Sequence, residues 1–267
     1  MNTVCLRLAN GSSWGIAGRD HRAETMVARL AETMQFRPAD DHSHNFFVTV
    51  RDDPAAQEDL VLNGTTVECT VGSALSEDML ASRLQHLSQM IGLSSQDSGG
   101  LLLHGALIEK DGEGVILAGH GGAGKTTASQ RVPAPWRSLC DDTTLIVRDG
   151  EGSYRAHPWP TWSSFMFGGP GGSWPTERSA SLRGIFVLEQ ASEDRADPLG
   201  RGEAVCLLTE CAEQVTWPAF HSLREEKSRF LRAQRFNNIC DMTQSVPAFR
   251  LRLSLTGTFW DEIERVL

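Results

Sequence analysis

Gly119-His120-Gly121-Gly122-Ala123-Gly124-Lys125-Thr126 is the stretch on which the reading of this 267-residue chain turns. It matches the pattern G-x-x-x-x-G-K-[ST] in full. The apolar run Val115 to Ala118 precedes it and the helix-forming Thr126-Thr127-Ala128-Ser129-Gln130-Arg131 follows it, so the order predicts strand, glycine loop, helix. Glycines in such a loop let successive backbone N–H groups curl toward one point, and the helix N-terminus adds the positive end of its dipole. Triphosphate oxygens suit that arrangement. Gly119, His120, Gly121, Gly122, Ala123, Gly124, Lys125, Thr126 and Thr127 are therefore the candidate nucleotide-binding residues. Lys125 would reach the β- and γ-phosphates of ATP, and the Thr126 hydroxyl would ligate Mg²⁺.

Working outward, Leu101 to Glu109 reads as a strand, and Asp111-Gly112-Glu113-Gly114 turns it back into Val115 to Ala118 as a hairpin. Beyond the loop, a short Ser138-Leu139-Cys140 strand ends in Asp141-Asp142. Further strands are predicted at 144–147, 153–156, 185–189 and 249–255, with helices near 203–213, 220–235 and 259–266. Interleaved strands and helices together with hairpins predict a mixed α/β sheet flanked by helices. Upstream, Val4 to Leu8 alternates like a strand, Asn10 to Ser13 reads as a turn, and Asp20 caps a helix with Met26, Leu30 and Met34 on one face. Strands at 45–51 and 67–71 follow, then a helix capped by Ser76 with Met79, Leu80, Leu84, Leu87 and Ile91 as its apolar stripe. The small, polar, glycine-rich Ser94 to Gly100 is the linker candidate. The chain thus divides into a small α+β part, 1–98, and a main part, 99–267.

Composition sets bounds on function. With 40% hydrophobic and 22% charged residues the chain is of ordinary globular type, and its net charge of −9 argues against bulk attraction to nucleic acid or an anionic membrane. A basic leader and any run of 18 apolar residues are both lacking, so the expected location is cytoplasmic. Cys5, Cys69, Cys140, Cys206, Cys211 and Cys240 are scattered without a CxxC pair, which reads as reduced structural thiols.

The second chemical signal is Asp141-Asp142, where one carboxylate can hold Mg²⁺ while its neighbour takes a proton from an attacking hydroxyl. Adjacent strand residues face opposite ways, so both reach one site only if the strand has ended there. His104, inside an apolar strand and followed by Gly105, is either a satisfied core residue or a partner of that site. His157, with Trp159 and Trp162, reads equally as part of a substrate pocket or as a rigid surface turn. Gly168 to Gly172 reads as a loop that closes over substrate or simply connects elements. Arg178 and Arg183 read as surface charges, with contact to an anionic acceptor as the alternative. The run Leu223 to Arg235 interleaves glutamates with its basic residues and reads as a solvated helix face.

The order His104-Gly105 in a strand, turn, GVILAG, glycine loop, then Asp141-Asp142 resembles the catalytic domain of HPr kinase/phosphorylase. More narrowly, ANGSSWGIAG near the start, GIFVLEQA at Gly184 to Ala191 and SLTGTFWDEIERVL at the end resemble the HPr-kinase-related, ScmC-like proteins of SynChlorMet peptide-modification cassettes. The resemblance implies a P-loop fold related to phosphoenolpyruvate carboxykinases, ATP and Mg²⁺ as cofactors, and transfer of phosphate to a serine-type hydroxyl. It implies Asp141 as the base toward that hydroxyl, Asp142 with Thr126 at the metal, and His104 as the residue assisting the carboxylate, beside catalytic Lys125. Thr126 stands where the family has Ser, with the hydroxyl retained. The family's second signature, a Glu and an Arg-Gly, is not found, so neither reversible phosphorolysis nor HPr as acceptor is carried over.

The leading expectation is an ATP-dependent kinase acting on a peptide or small-molecule hydroxyl in a peptide natural-product tailoring pathway. Its partners would be that acceptor and peptide-modifying enzymes of the same pathway, with no nucleic acid and no membrane; homo-oligomers, as in the ring-forming HPr kinases, are left open. The competing expectation is an ATP-binding accessory or regulatory protein in which the nucleotide organises a partner interface without transfer.

Overall fold

The computed structural model describes residues 3–39, 46–52, 59–63, 66–71, 76–221 and 225–267. Asn45, at the edge of one predicted strand, and residues 222–224, inside a predicted helix, lie outside them. The N-terminal part comprises β1 (Val4–Arg7), β2 (Ser13–Gly18), α1 (His21–Met34), β3 (Arg37–Pro38), β4 (Phe46–Asp52), β5 (Asp59–Asn63), β6 (Thr66–Val71) and α2 (Glu77–Ser94). Its strands form one sheet in the order β3-β1-β2-β4-β6-β5. Asp20 opens α1 by accepting the N–H groups of Arg22 and Ala23 at 3.1 and 2.9 Å, and the Ser76 hydroxyl accepts that of Met79 at the start of α2. β2 was not expected, because its Gly-Ile-Ala-Gly core has weak strand propensity; parallel pairing with β4 supplies what propensity does not.

The main part comprises β7 (Leu101–Lys110), β8 (Glu113–Ala118), α3 (Lys125–Arg131), β9 (Arg137–Cys140), β10 (Thr143–Arg148), β11 (Tyr154–Trp159), β12 (Ala180–Gln190), β13 (Arg195–Pro198), α4 (Arg201–His221), α5 (Glu225–Met242), β14 (Ala248–Leu253) and α6 (Phe259–Val266). Its sheet runs β11-β10-β7-β8-β12-β14-β13, with β9 also paired to β7 and the start of β12 paired to β11. β8 is antiparallel to β7 and parallel to β12, so the sheet is mixed, as expected. The β7–β8 hairpin turns through Asp111 and Gly112, both at positive φ (55° and 84°), the backbone that an Asp-Gly pair supplies at little cost. Helices α4 and α5 cover one face over Leu103, Ile116 and Val187, while α3 and α6 cover the other over Ala106, Leu117 and Phe186.

A third apolar cluster joins the two parts. Leu30, Met34, Leu84, Leu87 and Ile91 of α1 and α2 pack in the same core as Leu102, Leu145, Val147, Trp159 and Trp162 of the main part. The segment read as a linker is a packed turn: α2 runs to Ser94, a 3₁₀ turn follows over Ser95–Ser98, and Asn238 of α5 donates to the carbonyls of Gln96 and Gly100. Its polar composition serves backbone capping at a buried turn and not freedom from contact.

His157 belongs to this joint, buried within a strand, and so is neither the pocket residue nor the surface turn that its sequence context offers. It is fully buried in β11, accepts the Ala9 N–H at Nε2 (3.2 Å) and faces the Thr176 carbonyl with Nδ1 (2.8 Å). Those partners require the neutral, Nδ1-protonated ring, and burial pulls its pKa down to about 4, against the Thr176 hydrogen bond. The unfolded chain, with a histidine pKa near 6.5, therefore binds more protons than the folded one at mildly acid pH, and stability falls as pH drops from about 6.5 toward 4. The full loss is on the order of 3 kcal/mol. Urea unfolding between pH 7 and pH 4 should show it, and His157→Gln should flatten that part of the pH dependence; an unchanged slope would remove His157 as its origin.

Candidate active site

The loop sequence acts locally. β8 ends at Ala118, and the chain turns through the glycine loop to enter α3 at Lys125. Gly122 and Gly124 sit at φ 81° and 100°, where a side chain is strained, and a Cβ on Gly121, Gly122 or Gly124 would meet open space. The loop therefore presents bare backbone on the side of a cavity of about 540 Å³, within the usual range of small-molecule sites. From the far wall Gln190, at the end of β12, donates to the Gly122 carbonyl at 2.8 Å. Lys125 is buried, with Nζ donating to the carbonyls of Gly119 (2.9 Å) and His120 (3.1 Å). Burial pulls the Lys125 ammonium below the ordinary lysine value, opposed by Asp142, Cys211 and Asp141. Cys211 of α4 lies beneath the loop, its thiol pushed up to about 11 by burial.

Asp141 and Asp142 lie between β9 and β10, where the strand has ended, so both carboxylates turn toward the loop region. Their partners differ. Asp141 accepts from Thr126 at 3.2 Å and from Thr161 at 2.7 Å, through its two oxygens. Asp142 pairs with His104 Nε2 at 2.9 Å and accepts from the Thr143 hydroxyl at 3.3 Å. His104 in turn faces Gln214 Oε1 of α4 with Nδ1 at 2.8 Å. Burial by itself would raise the Asp142 pKa, but the hydrogen bond and charge of His104, together with Lys125, hold it below the ordinary carboxylate value. The loop threonine is thus joined to Asp141 and the histidine to Asp142.

The oxygen set suits a hard cation. Thr126 and Asp141 offer a hydroxyl and a carboxylate side by side at the loop, the ligand chemistry that Mg²⁺ takes when phosphate oxygens and water complete its shell. Among the described residues no group of three or more His, Cys, Asp and Glu side chains stands ready to hold a metal ion without such help. The bare loop backbone and buried Lys125 likewise fit a polyphosphate.

Other residues named from the sequence are placed elsewhere. The space that Gly105 leaves is taken by the neighbouring strand: a Cβ there would lie 2.6 Å from Ile116 Cγ2. Gly168 to Gly172 packs beside Arg29 and Asp78 of α1 and α2, not over the glycine loop. Arg178 donates to buried Glu109 at 3.0 Å, alongside Arg137, and Arg183 faces Glu113 at 3.6 Å, so both arginines are engaged by carboxylates. None of the six cysteines is joined in a disulfide. Gln190, Cys211, Gln214 and Thr161 were not foreseen, since no local pattern marks them and only folding brings them to the loop.

None of the described helices is long and apolar enough to cross a membrane. No curated protein matches the chain. The sequence model of the SynChlorMet cassette protein ScmC matches residues 67–267, which include every element of the site described above. That match extends over well more than half of the chain, and the chain belongs to the ScmC family of SynChlorMet cassette proteins.

Proposed function

We propose that this protein is an ATP-dependent kinase that transfers the γ-phosphoryl group to a serine-type hydroxyl of a peptide or small-molecule acceptor, in the cytoplasm, within a peptide natural-product tailoring pathway. One observation carries the reading: a glycine loop with a buried lysine and a His–Asp pair line the same cavity of about 540 Å³. An HPr kinase-like P-loop fold, akin to phosphoenolpyruvate carboxykinases, is part of the proposal. It is supported by the order hairpin, loop, helix, acidic pair, and by His104 on the strand next to β10.

The backbone of residues 119–124 and the N-terminus of α3 would receive the phosphates of ATP, and Lys125 would bear on the β- and γ-oxygens. Thr126 and Asp141 would hold Mg²⁺, whose charge offsets that of the phosphates. Asp142 is the better placed base: it lies beside Lys125, is ionised at neutral pH, and is oriented by His104, which Gln214 orients in turn. The acceptor oxygen forms its bond to the γ-phosphorus as the bond to the β,γ-bridging oxygen breaks. ADP leaves, and the hydroxyl proton passes to the Asp142 carboxylate.

The test is to incubate the protein with Mg²⁺ and ATP labelled in the γ-phosphate, together with a peptide fraction from the native host, and to follow the label by mass. A peptide species that gains phosphate, and does not gain it with Asp142→Asn, is the expected result. Nucleotide binding without label transfer to any species in that fraction overturns the kinase reading in favour of an accessory nucleotide-binding role.

A further inference from the structure

β8, β12 and β14 run parallel to one another, and the chain leaves all three at the same edge of the sheet. β8 passes into the glycine loop, β12 ends at Gln190 and Ala191, and β14 ends at Leu253 ahead of Ser254 and Leu255. All of these residues line the cavity of about 540 Å³, as expected of a ligand site beyond the carboxyl ends of parallel strands. Strand order gives that cavity a direction. β7, which carries His104, and β10, which follows Asp142, lie on one side of β8, whereas β12 and β14 lie on the other. The proposed chemistry is therefore at one end, and Ala191, Leu253, Ser254 and Leu255 are at the opposite end, with β14 two strand spacings, about 10 Å, from β8. A polyphosphate whose terminal group lies by Lys125 and Asp142 carries whatever it is esterified to toward β12 and β14.

The far end differs in chemistry from the loop. Leu255 lines it while 81% exposed, on a segment that is held in place. Arg131 of α3 donates to the carbonyls of Ser254 (2.7 Å) and Gly257 (2.6 Å), Asp194 accepts the Ser254 N–H at 2.6 Å, and the Ser254 hydroxyl accepts the Gly257 N–H at 2.8 Å. The Ala191 N–H donates to the Leu253 carbonyl at 3.0 Å. A leucine kept in water at the rim of a cavity gains by burial when a flat apolar face covers it. The same bonds spend the polar groups that could read a base: the N–H, carbonyl and hydroxyl of Ser254, both backbone groups of Gly257 and the Ala191 N–H already have partners within the protein. One base is told from another by pairing with its edge, whereas contact with the face of the ring is nearly indifferent to which base it is.

We infer that this end of the cavity is the nucleoside subsite, that Leu255 beside Ala191 and Leu253 covers one face of the base by apolar contact, and that the protein therefore takes ATP and GTP alike. This rests on the nucleotide reading of the glycine loop but not on transfer to any acceptor, and experiment separates the two. The probes are the Mg²⁺ complexes of ATP, GTP and inorganic tripolyphosphate, titrated into the full chain by calorimetry. Tripolyphosphate offers the loop the same oxygens without a base. Leu255→Ala removes the apolar cover and Leu255→Trp widens it, both at an exposed position where folding is not at stake, which thermal melting checks.

Wild type should bind ATP and GTP within about threefold of each other. Leu255→Ala should weaken both by about fivefold, Leu255→Trp should bind both at least as tightly as wild type, and the affinity for tripolyphosphate should be the same in all three proteins. Unchanged ATP affinity in Leu255→Ala, an equal loss for tripolyphosphate, or GTP binding more than about tenfold weaker than ATP overturns the assignment. ATP that binds as described but passes no phosphate to any acceptor leaves the subsite standing and removes the kinase reading. Transfer that proceeds with the same KM for ATP in wild type and Leu255→Ala leaves the kinase standing and removes the subsite.

Discussion

Asp142→Asn should lower phosphoryl transfer by about 10³-fold while changing nucleotide affinity little. The amide keeps the size of the carboxylate and can still hydrogen-bond His104, so the cavity beside the loop should keep its shape. What it loses is the capacity to accept a proton, and with it the compensation of Lys125 by a neighbouring negative charge. Asp141→Asn should differ in kind. Its carboxylate is tied to Thr126, so the substitution should raise the Mg²⁺ concentration needed for half-maximal rate, whereas Asp142→Asn should leave that concentration where it is. Initial rates over a Mg²⁺ titration for both variants separate the two roles. Near-normal turnover by Asp142→Asn, with loss in Asp141→Asn that excess Mg²⁺ does not restore, would return the base to Asp141.

Lys125→Ala should reduce both nucleotide affinity, by at least tenfold, and transfer, by about 10²- to 10³-fold. The Lys125 ammonium is the buried cation at the loop, and its contacts are with the loop's own carbonyls at Gly119 and His120. A polyphosphate entering the cavity would draw it away from those carbonyls, so the lysine acts as a positive group prepared before the substrate arrives. Alanine removes the charge and leaves two carbonyls short of a donor, and arginine, a wider fork, would not fit the same buried place. Lys125→Arg is therefore expected to be nearly as impaired as Lys125→Ala. Titration with a fluorescent ATP analogue, paired with thermal melting to show that the variants are folded, checks both. Unaltered affinity in a folded Lys125→Ala protein would mean that the nucleotide does not sit on this loop.

How far the site can be read from the chain depends on how its parts are linked. Residues 113–131 form a strand, a glycine loop and a helix from one contiguous run, and the conformations involved are local, set by missing side chains at Gly122 and Gly124. The Asp111-Gly112 turn and the Asp20 and Ser76 caps are legible for the same reason, since each is a contact between residues a few positions apart. β2, β5 and β13 were not read, because short strands gain their stability from partners across a sheet and carry little pattern of their own.

The sequence by itself determined the phosphate-loop pattern, the mixed α/β class, the acidic pair at a strand end and the histidine on the strand beside it. Only the tertiary structure decided which carboxylate joins Thr126 and which joins His104, since two adjacent aspartates differ in nothing but the direction each side chain takes when the strand stops. It alone decided, too, that Ser94 to Gly100 is packed, that His157 is a buried joint, and that Gln214 of α4 reaches His104 beside Asp142. His104 and Gln214 are 110 positions apart, and no periodicity or local propensity carries information across that distance. Long-range packing of α2 and α4 against the sheet brings them together, and it is driven by apolar burial that constrains the polar residues only once the core has closed.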